Sequence, residues 1–323
     1  MITVKRIIIL AIFLLLIGII GMAATFSSYR ESAFNEESES IPFQANELNN
    51  IEVDAENTEI RLQTANGEEP KIEYTAIGRK LETQELSSSI NGETLMIQIK
   101  ETSSSFFHMD FMFYSKATLD IFVPEDMLEQ IYVKTTNGRI SAADLQIDSL
   151  QLYTSNGRIE GKNIEASLID MESSNGRIAL ENTQGDTNIK TSNGKITVEN
   201  IIGEVTANTN NGKIGIASIQ GNTNTETTNG RIEAQGISGE IKAKTNNATI
   251  HIETENFEYP MDLQTSNGKI HIISEQAPEN ATFDLRTNNG TIRVFDSRDW
   301  DVIYGNGESL IKANTSNGRI TIE

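Results

Sequence analysis

The chain contains no cysteine. That excludes disulfides, thiolate nucleophiles, iron–sulfur clusters and the common zinc sites, and leaves the redox compartment open. Aromatic residues are scarce, at 6%. A thick globular core draws on them, so a thin core of Ile, Leu, Val, Ala and Thr is expected. Positive charge is also short: 26 Lys and Arg stand against 46 Asp and Glu, a formal net charge of −20. Phosphate contacts need a basic surface, which argues against a nucleic-acid partner. No cofactor and no metal are expected.

What is present begins with MITVKRIIILAIFLLLIGIIGMAA at residues 1–24. Lys5 and Arg6 precede an uncharged apolar run from Ile7 to Ala24. At about 1.5 Å per residue a helix there is roughly 27 Å long, just enough to span a bilayer core. A cleaved signal peptide is the other reading, with Gly21 and Ala23 at its cleavage site. The run exceeds the usual length of a signal core, so an uncleaved anchor is the expectation. Lys5 and Arg6 then place the N-terminus in the cytoplasm and the bulk of the chain outside it, as a single-pass protein of the cell membrane. The polar stretch SSYRESAFNEESES that follows reads as a tether. The expected organisation is an anchor or signal segment at 1–26, the tether at 27–40, a β-rich N-terminal cap and lead-in at 41–130, and a repeat domain at 131–323.

That repeat is the dominant pattern of the chain. Asn-Gly recurs at Asn137-Gly138, Asn156-Gly157, Asn175-Gly176, Asn193-Gly194, Asn211-Gly212, Asn229-Gly230, Asn267-Gly268, Asn289-Gly290 and Asn317-Gly318, with Asn247-Ala248 in the one missing place. The spacings are 19, 19, 18, 18, 18, 18, 20, 22 and 28 residues. A period near 18 is too short for helical repeats and suits the coils of a β-solenoid. The persistent Gly implies a backbone position with positive φ.

Counting back from each Asn, the even positions are mostly apolar or Thr, as at Thr209, Ala207 and Val205, and the odd ones are mostly polar. Counting forward, the third residue is always Ile: Ile140, Ile159, Ile178, Ile196, Ile214, Ile232, Ile250, Ile270, Ile292 and Ile320. That is the alternation of strands with one buried face. An antiparallel meander and a solenoid both fit the alternation. Asn-Gly is a strong hairpin signal, but a meander gives no reason for the same Asn, Thr and Ile in every unit. Stacking gives one, because aligned Asn side chains bond along the axis and aligned Thr and Ile fill a uniform core. The expected fold is an all-β, single-stranded β-solenoid (β-helix) of about ten coils of 18–20 residues, roughly 45–50 Å long. Its ends need covering. FFHMDFMFYS at 106–115 reads as a cover for the first coil. An insertion at 296–310 reads as the C-terminal cap, through Trp300 and Tyr304.

The lead-in NIEVDAENTEIRLQT, then LDIFVPEDM, then TTNGRI and its copies, and the closing GNGESLIKANTSNGRITIE resemble a bacterial family. It is the membrane-anchored putative-adhesin family of unknown function, which includes LiaG-type proteins. The resemblance covers about residues 41–323. It implies a β-solenoid on the outer face of a bacterial cell membrane, acting as an adhesin-like binding or scaffold protein, and it brings no catalytic residues. Members often carry Asp after the turn Gly, whereas here that residue is mostly Arg or Lys.

Those basic residues are Arg139, Arg158, Arg177, Lys195, Lys213, Arg231, Lys269 and Arg319. Stacked, they form a column of cations along one edge of an acidic protein. One reading is a site for a cell-wall polyanion such as teichoic acid, or for anionic lipid headgroups. The blander reading is a solvated column paired with outward carboxylates such as Glu160, Glu172, Glu226 and Glu233. An envelope protein is the other partner weighed. His251 and His271 occupy the same place in successive coils and read as surface strand residues. Polysaccharide-acting enzymes also use β-helices, and Asp170 with Glu172 is the nearest acidic pair, but no cluster of carboxylates stands out. The Thr column faces inward by parity, which argues against ice binding.

Overall fold

The computed structural model describes residues 12–22, 35–44, 48–78, 84–101, 116–124, 128–295 and 301–323. The N-terminal helix covers 12–22 and exposes every side chain. It is roughly 16 Å long at 1.5 Å per residue. Among the described residues no helix is long and apolar enough to cross a membrane. The described helix takes up only residues 12–22 of the transmembrane helix expected from Ile7 to Ala24. The rest of that apolar run, the 106–115 segment and Trp300 lie outside the described residues.

Most described strands between Asn50 and Ile322 stack as rungs in parallel register. In the Asn211 rung, Val205–Thr209 leads into the Asn bend, Ile214–Gln220 leaves it, and a return bend follows. Neither strand makes a hairpin with the other. Each pairs in register with its equivalents: Ile196 with Ile214, Ile214 with Ile232, Val205 with Thr223, Thr223 with Ile241. This settles the meander against the solenoid. Inward residues are small and aliphatic. The post-turn Ile is 0% exposed at Ile140, Ile159, Ile178, Ile196, Ile214, Ile232, Ile250, Ile270 and Ile320. The Thr column is buried from Thr135 to Thr315, as its parity requires, and half-buried at Thr287 of the outermost rung. Aromatics concentrate at the C-terminal end, where Phe283 meets Phe257 and Tyr304 edge-on at 5.2 and 5.7 Å. Tyr304 comes from the insertion expected to cap the stack.

The reason for Gly at the Asn bend differs from the expectation. None of these glycines has positive φ. A methyl group on Gly212 would instead lie 1.7 Å from the carbonyl oxygen of Gly194 in the rung below. The same contact recurs up the stack, so close backbone approach selects Gly. Positive φ occurs seven residues after the Asn, at Asp144, Asn163, Asn182, Asn200 and Ser218, where the strand kinks into its next face. Asn tolerates that conformation, and these residues form a second ladder: Asn163 donates to Asp144 at 2.8 Å, and Asn200 to Asn182 at 3.0 Å.

Stack order is not chain order at either end. Asn50–Ala55 and Thr58–Thr64 form a full rung between the strands Thr94–Glu101 and Lys116–Val123 on one side and the Asn137 rung on the other. At the far end Ser309–Thr315 and Ile320–Ile322 slot between the Asn267 rung and the strands Ala281–Thr287 and Ile292–Val294. Antiparallel strands finish the N-terminal end. Asn35–Pro42, placed partly in the tether by sequence, pairs with Lys71–Gly78, and Gln84–Asn91 pairs with Thr94–Glu101. Glu36, Glu37 and Glu39 make the first an acidic edge that discourages strand addition.

The C-terminal insertion carries a prediction. Among the described residues the rung at 281–294 has its parallel partners only in Ser309–Thr315 and Ile320–Ile322. A chain ending at Asn306 should therefore be cut rapidly between 276 and 295 in limited proteolysis, while residues 140–265 stay protected. Equal protection of both regions would contradict the clasp.

Candidate functional site

The Asn bend edge carries three aligned columns. The first is the Asn ladder. Each side-chain amide donates to the carbonyl oxygen of the Asn below: Asn156 to Asn137 at 2.6 Å, Asn211 to Asn193 at 2.7 Å, Asn247 to Asn229 at 2.7 Å. Asn317 donates to Asn267 at 2.8 Å and Asn289 to Asn317 at 2.9 Å, so the stack places Asn317 before Asn289. Asn137 donates to Asn57, a ladder member hidden in the sequence because Thr58 replaces Gly there. The second column is Thr. Thr209 Oγ1 accepts the Gly212 N–H at 3.1 Å and lies 3.3 Å from the Gly194 carbonyl oxygen as its donor. Ser173 does the same in its rung.

The third column is the basic one, and the stack gives its order. Glu59 lies at its base beside Arg139, then Arg158, Arg177, Lys195, Lys213, Arg231, Thr249, Lys269, Arg319 and Thr291 follow. Some of it is neutralised. Arg158 pairs with Glu160 at 3.0 Å. Lys213 and Arg231 share Glu233, the latter at 3.3 Å. Burial alone would raise the Glu233 carboxyl, but these two cations outweigh it and hold it below the usual range. Arg319 Nε donates to Thr291 Oγ1 at 3.2 Å. Glu172 and Glu226 are on another face, where Glu226 pairs with Lys244 at 2.7 Å. Among the described residues, Arg139, Arg177, Lys195 and Lys269 make no ion pair. Arg177 and Lys195 are consecutive. At a rung spacing of about 4.8 Å they repel by about 1 kcal/mol in water before splaying.

His251 and His271 are register partners with ring centroids 5.1 Å apart, as their positions in the repeat require. Sequence reading missed their carboxylates: Glu253 lies 2.9 Å from His251 Nε2, and Glu323 lies 2.8 Å from His271 Nε2. Glu323 arrives there only through the intercalated last rung. Among the described residues no group of His, Asp and Glu is spaced to hold a metal ion. These histidines line an open groove of about 2040 Å³ at the C-terminal end, together with Lys269, Arg293, Arg319 and Asp284. Its acids and bases are mixed, so it has no clear preference for one sign of charge. Of the acidic pair weighed for catalysis, Asp170 is engaged: it accepts from Tyr153 at 2.7 Å and from Asn188 at 3.0 Å. Burial first, then the bond to Asp170, pushes the Tyr153 hydroxyl well above its ordinary value.

A family model described as Toastrack DUF4097 matches residues 48–226 and again 185–323. The chain belongs to that family. The overlapping Toastrack matches cover the whole stack, and the resemblance carried by TTNGRI and its copies holds. Comparison with curated proteins gives no match. Three solved structures are similar in fold. A putative adhesin from Bacteroides fragilis NCTC 9343 is 13% identical, with 90% of this chain and 97% of that one covered and a TM-score of 0.38. For a putative adhesin from Parabacteroides distasonis ATCC 8503 the values are 10%, 90%, 97% and 0.36. For a putative cell adhesion protein from Clostridium sporogenes ATCC 15579 they are 10%, 89%, 99% and 0.28. Scores this low carry no function across to the Toastrack chain.

Proposed function

We propose that the protein is a membrane-anchored, extracytoplasmic β-solenoid that works without catalysis as an adhesin-like binding or scaffold protein of the bacterial cell envelope. Its N-terminal apolar run is the anchor, behind the cytoplasmic Lys5 and Arg6. Its ligand is a polyanion of the envelope, taken along the basic column. The observation that carries this is the uncompensated pair Arg177 and Lys195 in a chain of net charge −20. Carboxylates are abundant enough to neutralise every cation, yet here they do not. A rigid row of cations at rung spacing matches a repeating phosphate polymer. Asp170, the best acid for a hydrolytic site, is tied up by two neighbours.

The test uses residues 27–323 with purified teichoic acid and with anionic vesicles across a salt series. Binding should weaken steeply with salt, as counterion release requires. A variant with every basic column residue changed to Gln should lose it. Salt-insensitive binding, or binding kept by that variant, would remove the column from the function.

A further inference from the structure

The Asn ladder is also a row of reactive bonds. In Asn-Gly the Gly main-chain nitrogen can attack the Asn side-chain carbonyl, because no side chain on Gly hinders it. A new C–N bond forms at Cγ, the Cγ–Nδ2 bond breaks, and ammonia leaves with the proton lost by the Gly nitrogen. Water then opens the succinimide ring at either carbonyl, giving aspartate or isoaspartate. The sum is amide plus water to carboxylic acid plus ammonia, and nothing else is consumed.

In the interior of the stack, at every Asn-Gly pair of the ladder from Asn156 to Asn317, each group in that reaction is occupied. The Gly212 N–H is held by Thr209 Oγ1 at 3.1 Å. The Asn211 amide donates to Asn193, and its carbonyl oxygen accepts from Asn229 at 2.8 Å. Gly212 is buried between its neighbours. To react, the turn must give up these three bonds, of which Asn289 has only one, and move within a close-packed column.

Asn289 stands differently. It ends the ladder, donating to Asn317, and among the described residues no further Asn donates to its own carbonyl oxygen. Gly290 is exposed, whereas its counterparts along the ladder are buried. The bond from its N–H to the Thr of its rung, present at Gly157, Gly212 and Gly318, is absent there among the described residues. We propose that Asn289 is the deamidation site of the ladder, and that stacking protects the interior asparagines. The product carboxylate has no N–H to give Asn317 Oδ1. The terminal bond becomes a contact between two acceptors, and a negative charge is added beside Thr291 at the end of the basic column. Within the ladder the change is irreversible and confined to the outermost rung.

The chain supplies its own control, since Asn288-Asn289-Gly290 and Asn210-Asn211-Gly212 share their local sequence. The full chain in detergent would be held at mildly alkaline pH and sampled by peptide mapping with mass spectrometry. Asn289 should convert roughly thirtyfold faster than Asn211, the rate factor of two net hydrogen bonds. In denaturant the two rates should converge. Thr209→Val, which frees the Gly212 N–H, should speed Asn211 several-fold, and Thr209→Ser should keep it slow. The proposal is overturned if Asn289 is as slow as Asn211 in the native protein. It is equally overturned if the difference persists in denaturant, because local sequence would then be its cause.

Discussion

Replacing Gly212 by Ala is expected to destabilise the stack by about 3 kcal/mol, while replacing Gly215, three residues on, stabilises it by about 0.5–1 kcal/mol. The added methyl at 212 would lie 1.7 Å from the Gly194 oxygen and 2.6 Å from its carbon, both main-chain atoms that cannot swing aside. Relief requires the rungs to part, and that strains Asn211 N–H to Ser192 O at 3.0 Å and Ile196 N–H to Lys213 O at 2.9 Å. At 215 the methyl would meet nothing within 4 Å, and the backbone is not left-handed. There Ala only lowers the entropy of the unfolded chain. Ala248 shows how a methyl is tolerated: that residue is half-buried, where the ladder glycines of the interior are buried. Because repeat arrays can unfold piecewise, the check is a denaturation midpoint combined with hydrogen exchange at the Asn193 to Asn229 rungs. Equal effects at 212 and 215 would remove close approach as the reason for Gly.

This Gly is also where sequence reading stopped short. A repeated Asn-Gly reads equally well as a positive-φ turn and as a stacked close contact, and only the neighbouring rung tells them apart. The coil length, the inward Ile and Thr and the Asn ladder were legible because each is a property of one rung repeated. The order of rungs was not, because it depends on where the two ends of the chain return. Asn57 pairs with Asn137 across 80 residues, and Asn317 lies between Asn267 and Asn289. The 28-residue gap before Asn317 was the one visible sign of the second detour. The second ladder did leave a signal: the seventh residue after each Asn from Asn137 to Asn229 is Asp144, Asn163, Asn182, Asn200, Ser218 or Gly236, all types that accept the left-handed region. In the candidate site, the basic column was legible as a list. Which cations are free was not, since Glu233 serves two of them across neighbouring rungs.

The same substitution, Thr to Val, should have opposite signs at two buried positions of one array. Thr209 is 4% exposed and Thr223 is 2% exposed, so burial does not separate them. Their hydroxyls do. Thr209 Oγ1 accepts the Gly212 N–H and serves the Gly194 carbonyl. Val at 209 leaves a buried main-chain N–H without its partner, at a cost of about 2 kcal/mol. Thr223 Oγ1 is buried with no hydrogen-bond partner among the described residues. Its register neighbours are Val205 below and Ile241 above. Val at 223 removes an unsatisfied hydroxyl and completes an aliphatic column, a gain of about 1 kcal/mol. Denaturation midpoints of the two variants should therefore move in opposite directions from that of the parent. A loss at both positions would mean that Thr223 has a partner, such as water, and that the column at 205, 223 and 241 is not closed to solvent. A gain at both would mean that the Thr–Gly bonds, and with them the protection of the Asn ladder, contribute nothing to holding the rungs together.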